Sequence, residues 1–168
     1  KIDLALYYAN GEFPGLTSHR LMREQMAPVC SPEYAQRHRL NENPENVRHC
    51  TTLHDSLAWD HAAYDAEWTL WAEQHNLLAA LPKRTLTFDR SDLCVTAAMN
   101  HAGIAIGRQQ LGQKRVDRGE LILPFGGFSR CGHYDYYLVH SPLSVVPKRL
   151  QVFMNWLHEC AQQEKTLE

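Results

Sequence analysis

An α/β fold with a mainly parallel sheet is what these 168 residues predict. Three observations predict it. Segments that read as strands alternate with segments that read as helices. The central stretch 87–108, TFDRSDLCVTAAMNHAGIAIGR, reads as strand, tight turn, helix, glycine, strand. Two extended segments, 21–29 and 134–140, bracket the α/β material between them, as a hinged pair of subdomains requires.

Taken in order, residues 1–8 alternate as a strand, with Ile2, Leu4 and Leu6 on one side and Asp3, Ala5 and Tyr7 on the other. The chain opens inside this strand without an initiating Met, which is the expectation for a fragment. Residues 10–15 (NGEFPG) are a turn-rich loop. After the extended segment 21–29, Ser31 and Pro32 form a helix start, a capping serine followed by proline at the first helical position. Residues 50–54 read as a short strand and 55–65 as irregular. In the helix 66–75, Trp68, Trp71, Ala72 and His75 share one stripe, so both tryptophans read as core. Pro82 breaks the chain before the central unit.

Within that unit Leu86 and Phe88 alternate with threonines. Ser91 reads as N-cap, with Asp92 favourable to the dipole in the first turn. Leu93, Ala97, Ala98 and His101 recur at helical spacing, and Gly103 sits where a left-handed residue is wanted. Ile104, Ala105 and Ile106 form the short apolar run of a strand buried on both faces. A helix or irregular turn over 108–118 follows, then a strand at 121–123, a Gly126-Gly127 loop and the aromatic extended segment. Pro142 and Pro147 frame a last helix whose stripe is Leu150, Phe153, Leu157 and Cys160.

Composition excludes several classes. The apolar fraction is 44%, enough for a real core, and the net charge of −2 comes from mixed signs along the chain. A nucleic-acid-binding face would be basic. No apolar run is long enough to cross a bilayer. Five widely spaced cysteines without a CxxC read as reduced thiols in a cytosolic protein. Cys131-x-His133 and His158-x-Cys160 lack the two-pair spacing of a structural zinc, so no metal is read from them. There is no GxSxG, Walker A or GxGxxG, and no enzyme chemistry is read.

Two features point to binding. A strand feeding a helix whose N-terminus faces solvent makes an anion site at the carboxyl edge of a parallel sheet, which places Ser91 there. Tyr7 and Tyr8 end the first strand, and Tyr136 and Tyr137 lie on the late extended segment. Strand ends face the ligand crevice in such sheets, so one tyrosine of each pair is expected in the core and one in the site.

In their order and spacing, IDLALYYANGEFPGL, PVCSPEYA, TLHD, EWTLWAEQ, FDRSDLCVTAAMNHAGIAIGRQQL and GELILPFG resemble the effector-binding domain of LysR-type transcriptional regulators. The resemblance covers essentially the whole chain. It implies a periplasmic-binding-protein-like fold of type 2, with two Rossmann-like subdomains joined by two hinge strands and an effector in the cleft between them. On that pattern residues 1–28 plus 139–168 form subdomain I, truncated at its N-terminus, and 29–138 form subdomain II. The family's winged helix-turn-helix domain is absent from this chain.

The resemblance further implies effector contacts at Ser91, Tyr7, Tyr8 and Tyr136, with Asp89 and His54 as neighbours. The implied effector is a small amino acid, D-serine, controlling transcription of a D-serine catabolic operon. The implied partners are a second copy in a homodimer, or a tetramer in the full-length protein, and promoter DNA through the missing domain. No cofactor and no membrane partner are implied, and the location is cytoplasmic. Two alternatives stand beside this reading. One is an extracytoplasmic solute-binding protein for a small amino acid or organic anion. The other is a small α/β enzyme, which would need a base placed beside a nucleophile.

Overall fold

The computed structural model describes residues 2–143 and 145–163. By packing the chain divides into two units. Unit 1 takes the chain through Glu24 and again from His133 onward, and unit 2 is Gln25–Gly132.

Unit 2 is built on a four-stranded sheet of β3 (Met26–Val29), β4 (Thr52–Asp55), β5 (Thr85–Phe88) and β6 (Ile104–Arg108), ordered β3-β6-β4-β5. β4 runs parallel to both β5 and β6, while β3 is antiparallel to β6. Pro28 lies in β3 because that strand is an edge, where a missing N–H leaves no ladder gap. Helices α1 (Pro32–Arg37) and α2 (Ala66–Gln74) cover one face, and α3 (Ser91–Met99) and α4 (Gln109–Asp117) belong to the other.

The period-two pleat sorts the core between the faces. Ile104 and Ile106 join Met26, Tyr34, Trp68 and Trp71, while Ala105 joins Val29, Leu53, Cys94, Val95 and Ala98. The run 104–106 is therefore buried on both sides, as the sequence predicts. Ser31 caps α1 by accepting the Tyr34 N–H at 3.1 Å.

Unit 1 is a three-stranded antiparallel sheet of β1 (Ala5–Ala9), β2 (Thr17–Arg23) and β7 (Asp135–His140), with β7 in the middle. A single helix, α5 (Lys148–Gln163), supplies the buried residues Leu150 and Met154, which pack with Leu138.

Several expectations are corrected. The sheets are mixed in unit 2 and antiparallel in unit 1, since β7 returns between β1 and β2. The extended segment 21–29 is two strands in different sheets: β2 pairs with β7 and β3 with β6. The units therefore part after Glu24 and after Gly132, not after Pro28 and Leu138. Residues 121–123 make only an isolated bridge, Cys30 to Ile122. In α3 the buried stripe is Cys94, Val95 and Ala98, and Leu93 is exposed. In α5 Phe153 is exposed and Met154 takes its place inside.

The left-handed residue after α3 is His101, at φ 62°, not Gly103. Gly103 serves close approach instead. A Cβ there would lie 2.4 Å from the Thr51 carbonyl oxygen, and the Ile104 N–H donates to that same oxygen at 2.9 Å.

Candidate functional site

The unit 2 group forms where the parallel strands end. The loop after β4 is tied to the end of β5, since both the Ser56 N–H and its hydroxyl donate to the Phe88 carbonyl, at 2.8 and 2.9 Å. The Leu57 N–H donates to the buried Asp55 carboxylate at 3.0 Å. These bonds fix the turn from which Asp89, Arg90 and Ser91 project. Asp89 is exposed and Ser91 half-buried.

Ser91 is the first residue of α3 and not its cap. Arg90 holds the N-cap position, in extended backbone, and offers no side-chain cap. The Ser91 hydroxyl has no hydrogen-bond partner among the described residues. Arg90 donates twice to Asp92, at 3.0 and 2.6 Å. That fork holds the Asp92 carboxyl below its ordinary range, helped by the N–H groups of Asp92 and Leu93. The first turn therefore already carries one internal anion. What it leaves for a ligand is the Ser91 hydroxyl and N–H, at the positive end of the helix.

Also at the ends of this sheet, Arg108 closes β6. It is buried, and its Nη2 donates to Glu67 on α2 and to the Ala58 carbonyl, both at 2.9 Å.

In unit 1, register places Tyr8 opposite Tyr136 and Tyr7 opposite Tyr137. The first pair meets on one face, rings 5.1 Å apart, with Tyr134 5.5 Å from Tyr8. On the other face Tyr7 and Tyr137 gather around Phe13, at 5.7 and 5.5 Å. None of the four is core: Tyr7 is half exposed and the others are intermediate. The expectation of one core ring per pair fails because the two faces of this thin sheet are only partly covered. The Tyr136 hydroxyl donates to the buried Glu24 carboxylate at 2.5 Å, and Asp135 accepts the Glu24 N–H at 3.0 Å.

His54 does not join Ser91. It points to the α2 face of β4, where its ring lies 5.5 Å from Tyr64 and 6.4 Å from Trp68. Its Nε2 bonds the Thr52 hydroxyl at 2.8 Å, and its buried Nδ1 makes no hydrogen bond of good geometry. Burial lowers its pKa, against the opposing pull of Asp65 and the Tyr64 carbonyl. Of the six residues read from sequence, then, Ser91 and Asp89 come together in one turn and Tyr8 and Tyr136 on one face. Tyr7 and His54 stand apart from these two groups.

The buried charges Glu24, Asp135, Glu67 and Arg108 escape sequence reasoning. Their signal is a charge inside an apolar pattern: Glu67 beside Trp68, and Arg108 ending IAIGR. A serine, a histidine and a carboxylate do meet in unit 2. Ser31 Oγ lies 2.6 Å from His101 Nδ1, and His101 Nε2 lies 3.5 Å from Glu33. The serine is 2% exposed and serves as a helix cap, so it is not an open nucleophile. A cavity of about 600 Å³ in unit 1, walled by Ile2, Leu4, Leu143, Leu150 and Phe153, touches none of the six residues.

A mixed sheet with helices on both faces, beside a smaller antiparallel sheet with a helix, defines an α/β protein. A family model for the LysR substrate binding domain matches residues 1–162, and the chain belongs to that family. It is 47% identical over 158 residues to the HTH-type transcriptional regulator DsdC of Escherichia coli K12, covering 94% of this chain and 50% of that protein. It is 26% identical to the glycine cleavage system transcriptional activator of the same organism, covering 98% and 52%. The chain thus spans about half the length of the curated relatives it matches.

Among solved structures, the effector domain of the regulator AmpR of Pseudomonas aeruginosa superposes with a TM-score of 0.73 at 25% identity, over 99% of this chain and 76% of that one. The AmpR effector-binding domain of Citrobacter freundii gives 0.75 at 19%, over 96% and 76%. The periplasmic-binding-protein-like class of type 2, with mixed α/β sheets, is thereby established. The relatives are regulators of transcription, not enzymes.

Proposed function

We propose that this chain is the effector-sensing part of a LysR-type DNA-binding transcriptional regulator and that its effector is a small amino acid, D-serine. The 47% identity to DsdC across nearly the whole chain carries this reading. The chemistry at the α3 terminus agrees with it. The amino acid's carboxylate takes the Ser91 hydroxyl and first-turn N–H, where a helix terminus favours an anion by ~0.3–1 kcal/mol at exposed sites. Its ammonium takes the exposed carboxylate of Asp89. For Tyr7, Tyr8, Tyr136 and His54 the family resemblance supports a place in the effector set. Only an effector with unequal affinity for two arrangements of the protein shifts them, and that shift is the signal.

The whole protein in this reading is cytoplasmic, a homodimer, and contacts promoter DNA through another domain. No helix among the described residues is long and apolar enough to cross a membrane. Calorimetric titration of D-serine, L-serine and glycine into the full-length regulator tests the assignment. Heat with D-serine and much less with L-serine is expected, and no heat with D-serine rejects it. Ser91→Ala is expected to weaken binding by ~1–3 kcal/mol. Unchanged affinity removes Ser91 from the site.

A further inference from the structure

Ten histidines are scattered through the sequence, and no local spacing marks any of them as a ligand set. The unit 1 sheet brings two together. His19 on β2 pairs with Leu138, and His140 on β7 pairs with Thr17. They are diagonal neighbours on one face, within reach for long side chains. Their Nε2 atoms lie 3.3 Å apart. Two nitrogens bound at 2.0–2.1 Å to one tetrahedral ion stand about 3.3 Å apart.

The orientation is also set. His140 Nδ1 donates to the Ser141 carbonyl at 2.8 Å, which leaves its Nε2 as the lone-pair nitrogen. A backbone carbonyl holding the far nitrogen in this way is the usual support of a metal-bound imidazole. His140 is buried and His19 exposed, so the pair is anchored on one side and open to solvent on the other. A cavity of about 280 Å³ opens beside them, and His158 of α5 lines it together with Asn155 and Gln151. Among the described residues, no carboxylate, lysine or arginine lines it. As the side chains stand, no three His, Cys, Asp or Glu among the described residues converge on one point. His158 is the further imidazole on the cavity wall, and its ring has to turn to meet the other two.

We propose that His19 and His140 form the clip of a binding site for a divalent transition-metal ion, with His158 as third ligand. An all-imidazole donor set suits Zn²⁺, Ni²⁺ or Cu²⁺ and not Mg²⁺ or Ca²⁺. Without metal, His19 Nε2–H donates to His140 Nε2. On binding, that proton moves to His19 Nδ1 through solvent and both Nε2 lone pairs turn to the ion, so no net charge or proton is left unaccounted.

Calorimetric titration of Zn²⁺ into the untagged full-length protein tests this. One site is expected, weakened more than 10-fold in His19→Ala and in His140→Ala and several-fold in His158→Ala. His49→Ala, outside the cavity, leaves it unchanged. Because His140 is buried, a measurement on unsubstituted protein accompanies the variants: Ni²⁺ is expected to broaden the imidazole NMR signals of His19 and His140 before those of other histidines. No Zn²⁺ binding, wild-type affinity in His19→Ala, or earlier broadening of other histidines overturns the site.

Discussion

Unit 2 holds its sheet between two layers of helix, whereas β1, β2 and β7 of unit 1 have one helix to pack against. In unit 2 the fully buried side chains include Trp68, Trp71, Leu40, Leu53, Ile104 and Ile106. In unit 1 the buried cluster is Leu138, Leu150 and Met154, and Val152, Phe153 and Trp156 of α5 lie about half exposed. Unit 2 has apolar area on both sides of its strands removed from water. Unit 1 leaves Val152, Phe153 and Trp156 of α5 facing solvent. The difference teaches where stability is concentrated in this chain and where a substitution passes unnoticed.

The largest effect is expected from Trp68→Ala. It empties a fully buried site and removes the hydrogen bond that the indole N–H donates to the Leu53 carbonyl at 3.0 Å. A loss of ~3–5 kcal/mol is expected, read as a lower urea midpoint. An effect under ~1 kcal/mol would mean that unit 2 is not the stable half. Arg108→Leu comes next. It leaves Glu67 buried without its cation, at ~3–5 kcal/mol by the usual range for a broken buried pair and at its lower end here, since no large cavity forms. Adding Glu67→Leu should return most of that loss. If the double variant is no better than the single, the pair does not act as a unit.

A smaller effect is the pH dependence of unit 2. Burial lowers the folded-state pKa of His54. At neutral pH both states hold it neutral and nothing is lost. As pH falls below the unfolded value of about 6.5, the unfolded chain takes up a proton that the folded chain refuses, and stability declines until the lower folded pKa is passed. Melting temperature followed by circular dichroism should drop on acidification, and His54→Gln should flatten that drop. An unchanged slope assigns it to other groups, among them His38, whose pKa burial and Arg37 also lower. Smallest of all is Trp156→Gln in unit 1. With the ring about half exposed, a change within ~0.5 kcal/mol is expected by chemical denaturation. A loss above ~2 kcal/mol would show that this face is covered in the protein in solution.

The same contrast explains what was legible in the residues. The strand–helix–strand stretch through Ser91 is clear because β5, α3 and β6 each follow a local pattern, and 104–106 announces a strand covered on both faces. The register of α3 is not legible. Leu93, Cys94, Val95, Ala97 and Ala98 are apolar nearly all round, so packing against Leu53 and Val29 decides that Leu93 faces water. The split of 21–29 is also silent locally, because β7 and β6, more than 75 residues later, decide which sheet each half joins. For the candidate site, the turn holding Asp89 and Ser91 could be read from helix-start chemistry. The Arg108–Glu67 pair could not, because each partner sits inside an apolar pattern and only the tertiary fold brings them together.

The placement of Trp68, Trp71 and Trp156 makes the two units optically separable once Trp59, half-buried in unit 2, is replaced. Trp68 and Trp71 are sealed inside unit 2, with the Trp71 ring stacked against His75 and Phe125 at 4.6 and 5.5 Å. Trp156, on α5, meets solvent. In a Trp59→Phe background, acrylamide should quench the red-emitting fluorescence of Trp156 and spare the blue emission of Trp68 and Trp71, so the emission reports which half loosens first.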